Sequence, residues 1–394
     1  MTATTLAEAA RLTGVSPATL RRWVDAGLVP TGPGGALTPA SVGQARVVAR
    51  LRERGHTLRQ IREATERGRL ATSSIEGLLP AAPGAWTAEQ AGRETGLDPA
   101  LIARIFQSLG FGAAAVEHLR DDDLQLLRHA AGALDAGLPL EAFLQLVRVY
   151  GQAMSQIADA EVRLFHLYVH EPLMREGVPG GQMTEEIAGL AREILPLASP
   201  IMDLAHTRFL QHFIEQDVVG HMEADLPGSA DRLPGRQRVA IAFADLAGFT
   251  RLTEEVGDEE AVGIVERFVD QVQASLPDDA RIIKTIGDEV MIVGGDPSAL
   301  AWWAVTFQQG DVTRPRPRIG LHYGEALYRE GDWYGREVNQ AARVAARAAG
   351  GEVLVTRPVV EHVGPGLAFR PIGEVRLKGF TAPTEIFAAA AGEA

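Results

Sequence analysis

The pattern of apolar positions divides the chain into a helical part and a C-terminal part in which strands and helices alternate. Between residues 151 and 225, apolar side chains recur every three or four positions, as on one face of a helix. After the polar, Pro- and Gly-rich segment 226–237, short apolar runs such as VAIAFA and VMIVG alternate with amphipathic segments. The pattern predicts an α+β domain over residues 238–394, preceded by all-α segments.

The helical part contains an internal repeat with an offset of 82 residues. TLAEAARLTGVSPA (5–18) aligns with TAEQAGRETGLDPA (87–100), with seven identical positions. Each copy predicts a short helix, a glycine turn and a second helix that starts with a capping residue followed by proline, as at Ser16 and Pro17. This order is a helix-turn-helix, whose second helix can enter the major groove of DNA.

Charge distinguishes the two copies. Residues 1–70 contain 11 Arg and 5 acidic residues, a net charge of +6, whereas residues 83–150 contain 5 Arg and 9 acidic residues, a net charge of −4. Phosphate contacts provide most of nonspecific DNA affinity, so only the first copy is predicted to bind DNA. The candidate contacts are Ser16, Thr19, Arg21 and Arg22. The alternative is that these arginines form a solvated helix face.

The first copy resembles the MerR-type winged helix-turn-helix over residues 1–75, with AGLVPTGPGGALTP as the wing-like connection. Residues 83–150 are then a second, degenerate helix-turn-helix-like unit. A helical regulatory and dimerisation region is predicted at 151–225 and a linker at 226–237. His166 and His170 lie four apart in the helical region, and a satisfied interface, a metal site and a protonation-sensitive interface all stay open for them.

Composition narrows the class of protein. The absence of Cys excludes disulfides, thiolate zinc sites and cysteine nucleophiles. The net charge of −13 argues against a nonspecific nucleic-acid coat. No apolar run of about 18 residues occurs, and the first residues do not resemble a signal peptide. We therefore expect a soluble, cytoplasmic protein with no membrane partner.

Five segments of the C-terminal part resemble, in this order, the catalytic domain of class III adenylate cyclases: FADLAGFT, KTIGDEVM, IGLHYGEAL, DWYGREVNQAAR and RLKGFTAP. The resemblance implies a ferredoxin-like domain with an antiparallel sheet and helices, a head-to-tail homodimer, and conversion of ATP to 3′,5′-cyclic AMP and pyrophosphate. The segments that precede this domain also resemble the helical regulatory regions of some actinobacterial members.

The chemistry assigns roles to residues in these segments. Cyclisation needs the ribose 3′-hydroxyl to attack the α-phosphorus while charge develops on the phosphoryl oxygens. Asp245 and Asp288 are the candidate ligands of two Mg²⁺ or Mn²⁺ ions, which lower the pKa of the hydroxyl and neutralise the triphosphate. Asn339 and Arg343, four apart on one helix face, would orient the ribose and stabilise transition-state charge.

The lysines suggest the base that is recognised. Only Lys284 and Lys378 occur in the whole chain. Adenine presents an acceptor at N1 and a donor at its amino group, which Lys284 and Asp332 can match, whereas guanine reverses both groups. Arginine's rigid fork is a poor substitute for one ammonium that reaches one ring nitrogen. For Lys378, a phosphate contact and a place on an edge strand both stay open.

Two further functions were weighed against an adenylate cyclase. A DNA-binding transcription regulator could use a catalytically silent cyclase domain as a nucleotide sensor, and the recognition helix keeps this alternative open. A diguanylate cyclase would need a GGDEF-like hairpin, which the sequence lacks. Because every required active-site position is occupied, the sequence favours the adenylate cyclase. The signal that regulates it is not encoded in any pattern found here.

Overall fold

The computed structural model describes residues 4–76, 86–224, 235–310 and 314–392. The chain divides into two compact units, residues 1–213 and 214–394. The linker predicted at 226–237 lies mostly outside the described residues, and the predicted division into five segments stays a prediction. None of the described helices is long and apolar enough to cross a membrane.

The first unit is helical, and its two repeated copies have matching element boundaries. The first copy comprises α1 (Leu6–Thr13), α2 (Pro17–Asp25), α3 (Pro39–Glu53) and α4 (Leu58–Glu66), followed by α5 (Ser73–Glu76). The second comprises α6 (Ala88–Thr95), α7 (Pro99–Ser108), α8 (Asp121–Asp135) and α9 (Leu140–Phe165). Each helix of the second copy starts 82 residues after its counterpart, so the repeat is present in the structure.

Hydrogen bonds at the helix ends explain why the copies share their boundaries. The Thr5 hydroxyl accepts from the backbone N–H of Glu8 at 3.3 Å, and Thr87 accepts from Gln90 at the same distance. An isolated bridge closes each copy, Thr4 with Leu37 in the first and Trp86 with Leu119 in the second. Side-chain caps satisfy N–H groups that a helix leaves open, so these polar positions fix where the helices begin.

Longer helices complete the first unit. A π-helical turn, His166–His170, follows α9 and leads into α10 (Glu171–Arg175), after which α11 extends over Gly180–Ala224. The exposed side of α9 carries apolar side chains at helical spacing, Tyr150, Met154, Ile157 and Leu164, and Tyr168 of the π-helical turn is also exposed.

The second unit is one mixed sheet with helices. Its elements are β1 (Arg236–Leu246), α12 (Phe249–Val256), α13 (Asp258–Ser275), β2 (Ala280–Ile286), β3 (Glu289–Gly294), α14 (Pro297–Gln309), β4 (Pro317–Arg329), β5 (Asp332–Tyr334), α15 (Arg336–Ala345), β6 (Val353–Thr356), α16 (Arg357–His362), β7 (Leu367–Val375) and β8 (Thr384–Ala391). The strand order is β2-β3-β1-β4-β6-β8-β7, with β5 paired to β4.

The α+β fold predicted from the sequence is confirmed. The elements β1, α13, β2, β3, α14 and β4 follow the ferredoxin-like βαββαβ order, and their four strands are antiparallel neighbours. The expectation of an antiparallel sheet was wrong for one pair, because β4 and β6 run parallel. A parallel pair needs a crossover, and the connection through β5 and α15 provides it.

Alternation along β1 assigns the two faces of the sheet. Ala240, Ala242 and Ala244 belong to the larger core, which also contains side chains of α13 and α14. Ile241 and Phe243 belong to a second core with Ala345 of α15. We call the side of the sheet that α15 covers the α15 face. Since successive side chains of a strand point to opposite faces, Asp245 continues the row on the α15 face.

Candidate active site

Two carboxylates meet where β1 ends and the β2–β3 hairpin turns. Asp245 is the second-to-last residue of β1 and is 8% exposed. Asp288 lies in the turn between β2 and β3, after Gly287, whose φ of 66° places it in the left-handed region that favours glycine. Burial raises the pKa of Asp288 to about 6. The hydrogen bond that the protonated Asp288 carboxyl donates to Asp245, and the negative charge of Asp245, add to this effect.

The carboxylate pair is suited to a hard cation. Two neighbouring carboxylates repel each other when both are ionised, and a cation placed between them reduces this repulsion. Among the described residues, no group of three or more His, Asp or Glu side chains could hold a metal ion. Mg²⁺ commonly takes one or two protein carboxylates together with water and substrate phosphates. Asp245 and Asp288 therefore fit divalent ions that share their ligands with a nucleotide.

Arg318 is a charged neighbour of this pair that the sequence analysis missed. It lies directly opposite Asp245 in the β1–β4 register, and its Nε donates to Asp245 Oδ2 at 2.6 Å. Arg318 Nη2 also forms an ion pair with Asp245 Oδ2. The pairing depends on which strands are neighbours, and nothing in the local sequence around residue 318 shows that.

A β-bulge in β2 determines on which face of the sheet the Lys284 side chain lies. The β2–β3 register shifts between Ile282 and Lys284, so that Lys284 pairs with Met291. Ile282 packs against the larger core, whereas Ile283 packs on the α15 face, which is also the face of Met291. A bulge places two consecutive residues toward one side of a sheet. The inserted residue therefore moves Lys284 onto the α15 face.

On that face, Lys284 forms an ion pair with Asp332. Asp332 begins the short strand β5 and lies opposite Arg329 of β4. Its other carboxylate oxygen accepts from the backbone N–H of Trp333 at 2.8 Å, and the Trp333 side chain is buried. The structure thus brings the two predicted adenine-binding residues into contact.

Asn339 and Arg343 lie on α15, and both are exposed. Burial raises the pKa of Glu289, the residue after Asp288, and the charge of Asp245 adds to this, while the charges of Arg318 and Arg343 lower it. Arg343 is therefore close enough to Glu289 for its charge to act on that carboxylate. The roles of Asn339 and Arg343 beside the metal ligands stay a prediction.

Lys378 follows Leu377, which shares a core cluster with Val344 of α15. The sequence left open an edge strand, but the residue is exposed in a turn between β7 and β8. No contact of Lys378 assigns it a phosphate, and that role stays a prediction.

The candidate DNA contacts lie at the start of α2. Ser16 caps this helix by accepting from the Thr19 N–H at 3.1 Å, and its hydroxyl lies 2.9 Å from the Thr19 hydroxyl. Arg22 donates to Thr19 at 3.4 Å, and both Arg21 and Arg22 are exposed. Ser16 and Thr19 thus have structural roles that leave the two arginines as the more available contacts.

Both ring nitrogens of His170, and Nδ1 of His166, have partners within hydrogen-bonding distance. The Nδ1 atoms of His166 and His170 lie 3.0 Å apart, and His170 Nε2 lies 2.9 Å from the Gly68 carbonyl oxygen. His170 is 2% exposed. These contacts agree with a satisfied interface between the first helix-turn-helix copy and the π-helical turn.

The fold and the site together define a nucleotide cyclase domain, and comparison with known proteins agrees. Residues 233–389 match the family model of the adenylate and guanylate cyclase catalytic domain, and residues 4–67 match that of the MerR HTH family regulatory proteins. A pH-sensitive adenylate cyclase of Mycobacterium tuberculosis is 32% identical over 363 residues, 88% of each chain. An adenylate cyclase of Streptomyces coelicolor is 30% identical over 73% of this chain and 74% of its own.

A solved structure of the adenylyl cyclase CyaB from P. aeruginosa covers 40% of this chain and 96% of its own, at 21% identity and a TM-score of 0.35. The sequence relatives extend over both units. The chain therefore belongs to the class III adenylate cyclases and carries an N-terminal helix-turn-helix of the MerR type.

The raised pKa of Asp288 predicts a pH-dependent cost to stability. Because the folded protein holds this proton more tightly than the unfolded chain, the stability contributed by Asp288 falls as the pH rises through about 6. In EDTA, Asp288→Asn should raise the Tm by about 2–4 °C at pH 7.5, roughly 1 kcal/mol after allowance for solvent screening. The gain should shrink toward pH 5.

Asp270→Asn is the matched control, since Asp270 is an exposed carboxylate on α13. Thermal melts of both variants between pH 5 and pH 8 provide the measurement. A difference between Asp288→Asn and the parent that does not change with pH would contradict the electrostatic account.

Proposed function

We propose that this protein converts ATP to cyclic AMP and pyrophosphate at sites formed between two copies of the C-terminal unit. The observation that carries the proposal is the joint placement of two residue pairs on the α15 face. Lys284 contacts Asp332, and Asp288 lies beside Asp245. The first pair can bind the base of a nucleoside triphosphate and is called the base reader. The second pair can hold the cations that neutralise its phosphates, so one surface can bind both ends of the nucleotide.

The Lys284–Asp332 pair provides the base specificity. Without a nucleotide, the ammonium and the carboxylate satisfy each other. With adenine, Lys284 donates to N1 and Asp332 accepts from the amino group, so both charges remain hydrogen-bonded. Guanine would leave a donor facing a donor and an acceptor facing an acceptor, and buried polar groups without partners are costly.

Asp245 and Asp288 provide the oxygen ligands for two Mg²⁺ or Mn²⁺ ions. Bound divalent ions would lower the pKa of the ribose 3′-hydroxyl and neutralise the triphosphate. Arg318 orients Asp245 through its ion pair. The chain thus holds the carboxylates ready on a partly buried surface, where charges act more strongly than in water.

Asn339 and Arg343 act on the reacting groups from α15. The Asn339 amide can orient the ribose, and the Arg343 guanidinium can stabilise charge that develops on the phosphoryl oxygens. Both side chains are exposed on the isolated chain. This exposure suits residues that complete a site on a second copy, and the apolar side of α9 gives two copies further surface to bury.

The first prediction concerns the nucleotide. The unmodified protein with Mg²⁺ or Mn²⁺ should form cyclic AMP and prefer ATP over GTP by roughly ten- to hundredfold, the scale of one good buried hydrogen bond. Lys284→Glu combined with Asp332→Cys should erode this preference because the donor and acceptor are lost. Competition assays with both nucleotides measure the ratio.

Lys378→Glu is the control for the loss of a lysine, and it should keep the preference for ATP. Equal use of ATP and GTP by the unmodified protein would contradict the adenine assignment. No cyclic AMP with either metal ion would contradict the cyclase itself.

The second prediction tests the shared site. Asp288→Ala and Arg343→Ala should each be nearly inactive as homodimers. After subunit exchange about half of the dimers are mixed, and each mixed dimer holds one site with both lesions and one with none. About a quarter of the unmodified activity should then return.

A mixture of Asp288→Ala with Asp245→Ala is the control, because both lesions fall on the same half of the site and no intact site can form. If the Asp288 and Arg343 variants stay inactive despite proven exchange, the residues serve one chain's own site and the shared arrangement is wrong.

DNA binding by the first helix-turn-helix copy is a second candidate function. The exposed Arg21 and Arg22 on α2, together with the +6 charge of residues 1–70, support it. A chain that binds DNA and a nucleotide could act as a transcription regulator with or without turnover, and cytoplasmic localisation would suit both functions. The predicted regulatory role of the helical segments belongs to this same proposal.

The third prediction follows from this charge. Binding to promoter DNA should weaken steeply as salt rises, and Arg21→Ala with Arg22→Ala should weaken it further at every salt concentration. Gel shifts at several salt concentrations measure both effects. Arg104→Ala with Arg128→Ala in the acidic second copy is the control and should leave binding unchanged. Absence of a shift at low salt would assign the domain to protein contacts.

A further inference from the structure

A buried histidine connects three elements beneath α15. His322 of β4 is 3% exposed, and both of its ring nitrogens have partners. Nδ1 lies 2.8 Å from the hydroxyl of Thr356, the last residue of β6, and Nε2 lies 2.6 Å from Oε2 of Glu337 in the first turn of α15. The ring therefore joins two strands to the helix that bears Asn339 and Arg343.

Two glycines on the same face of β4 allow α15 to approach. A Cβ at Gly320 would lie 2.0 Å from the backbone nitrogen of Ala345, so the helix backbone rests on the strand there. A Cβ at Gly324 would lie 2.9 Å from His322 Nε2 and 3.1 Å from Glu337 Cγ. Alternation along the strand places positions 320, 322 and 324 on one side.

These contacts hold the two ends of α15 in different ways. Gly320 lets the C-terminal end lie directly on β4, while the N-terminal end is held by the His322–Glu337 pair, by Val338 in the core of the α15 face and by Arg336 over the Phe380 ring. Eight residues separate Glu337 from Ala345, about 12 Å of helix. A change at the N-terminal end would tilt the helix about its C-terminal end and move the residues between. Asn339 is two residues from Glu337 and moves with it.

We propose that His322 and Glu337 form an anchor that sets the position of α15, and so of Asn339 and Arg343, over the sheet. His322 and Glu337 are positioning residues, since neither belongs to the groups assigned to ATP. The proposal rests on the proposed cyclase function for its effect on turnover, whereas the anchoring itself can be measured without turnover.

The chemistry of the pair explains its orientation. The hydrogen bond with His322 lowers the pKa of Glu337, with the charges of His322 and Arg336 acting in the same direction, against the effect of burial. An ionised Glu337 can only accept, so Nε2–H of His322 donates to it, while Nδ1 pairs with the Thr356 hydroxyl, which can donate or accept. Thr356 thus holds the ring in the orientation that serves Glu337, as outer partners do for other functional histidines.

The main experiment compares two isosteric changes. Glu337→Met removes the acceptor but keeps the length of the side chain, and Glu337→Gln keeps an acceptor for His322 without the charge. Glu337→Met should lower kcat by about ten- to hundredfold, the scale expected when reacting groups move by about 1 Å. KM for ATP should change by less than about twofold and the preference for ATP should persist, because Lys284 and Asp332 do not lie on α15.

Glu337→Gln should retain kcat within about threefold, since the hydrogen bond can form. Glu325→Met is the matched control. Glu325 is also a glutamate close to Gly324, but it is exposed on β4 and pairs with Arg236 of the neighbouring strand β1 instead of His322. Its kcat should stay within about twofold of the parent. A thermal melt of each variant shows that the assay temperature lies below unfolding.

Hydrogen exchange gives a readout that needs no activity. In Glu337→Met, amides of residues 336–343 should exchange at least about tenfold faster than in the parent, while Glu337→Gln and Glu325→Met should leave them unchanged. Faster exchange that is confined to α15, together with the lower kcat of Glu337→Met, supports the anchor. If the parent makes no cyclic AMP, the cyclase proposal fails and exchange alone decides the anchoring.

Three outcomes would overturn the anchor. Unchanged exchange and kcat in Glu337→Met would show that α15 needs no such pair. Equal losses in the Met and Gln variants would show that charge, and not the hydrogen bond, matters. A rise of KM in proportion to the loss of kcat/KM, with kcat unchanged, would assign Glu337 to substrate binding.

Discussion

Asp245 lies opposite Glu289 of β3 on one side and Arg318 of β4 on the other. These register positions bring charged groups together at the end of β1, and the hairpin turn adds Asp288. Burial, and after it the neighbouring Asp245, raises the pKa of Asp288, and the charge of Arg318 offsets only part of this rise. Residues at functional sites often carry such a cost to stability. The cores on both faces of the sheet hold the strands in this register despite the repulsion.

Local signals in the sequence predicted a large part of this architecture. Caps and glycine turns predicted the repeated helices, and short apolar runs such as VMIVG predicted the strands of the α+β domain. In both cases the signal lies within a few residues of the element it predicts. Lys284 and Asp332 are also in contact, although 48 residues separate them in sequence, and their role toward adenine stays a prediction.

The features that the sequence did not predict depend on long-range pairing. Arg318 acts on Asp245 across a strand pair 73 residues apart in sequence. His322 meets Thr356 only because β4 and β6 are parallel neighbours. No glycine or proline marks the bulge at Ile283 in the sequence. The bulge occurs where Ile282 packs in the larger core and Ile283 packs in the core on the α15 face. Such contacts need the strand order before they can be deduced.

That bulge also bears on how one hairpin can serve two tasks. Lys284 and Asp288 are four residues apart, yet Lys284 contacts Asp332 on β5, whereas Asp288 lies beside Asp245 at the end of β1. Each residue has its own partner. In the proposed function, one hairpin would therefore carry half of a base reader and half of a metal site. In a two-fold dimer, every such surface meets its own copy turned around. A nucleotide between the copies would then place its base on one chain's reader and its phosphates on the other chain's carboxylates, so that neither half would need to be complete alone.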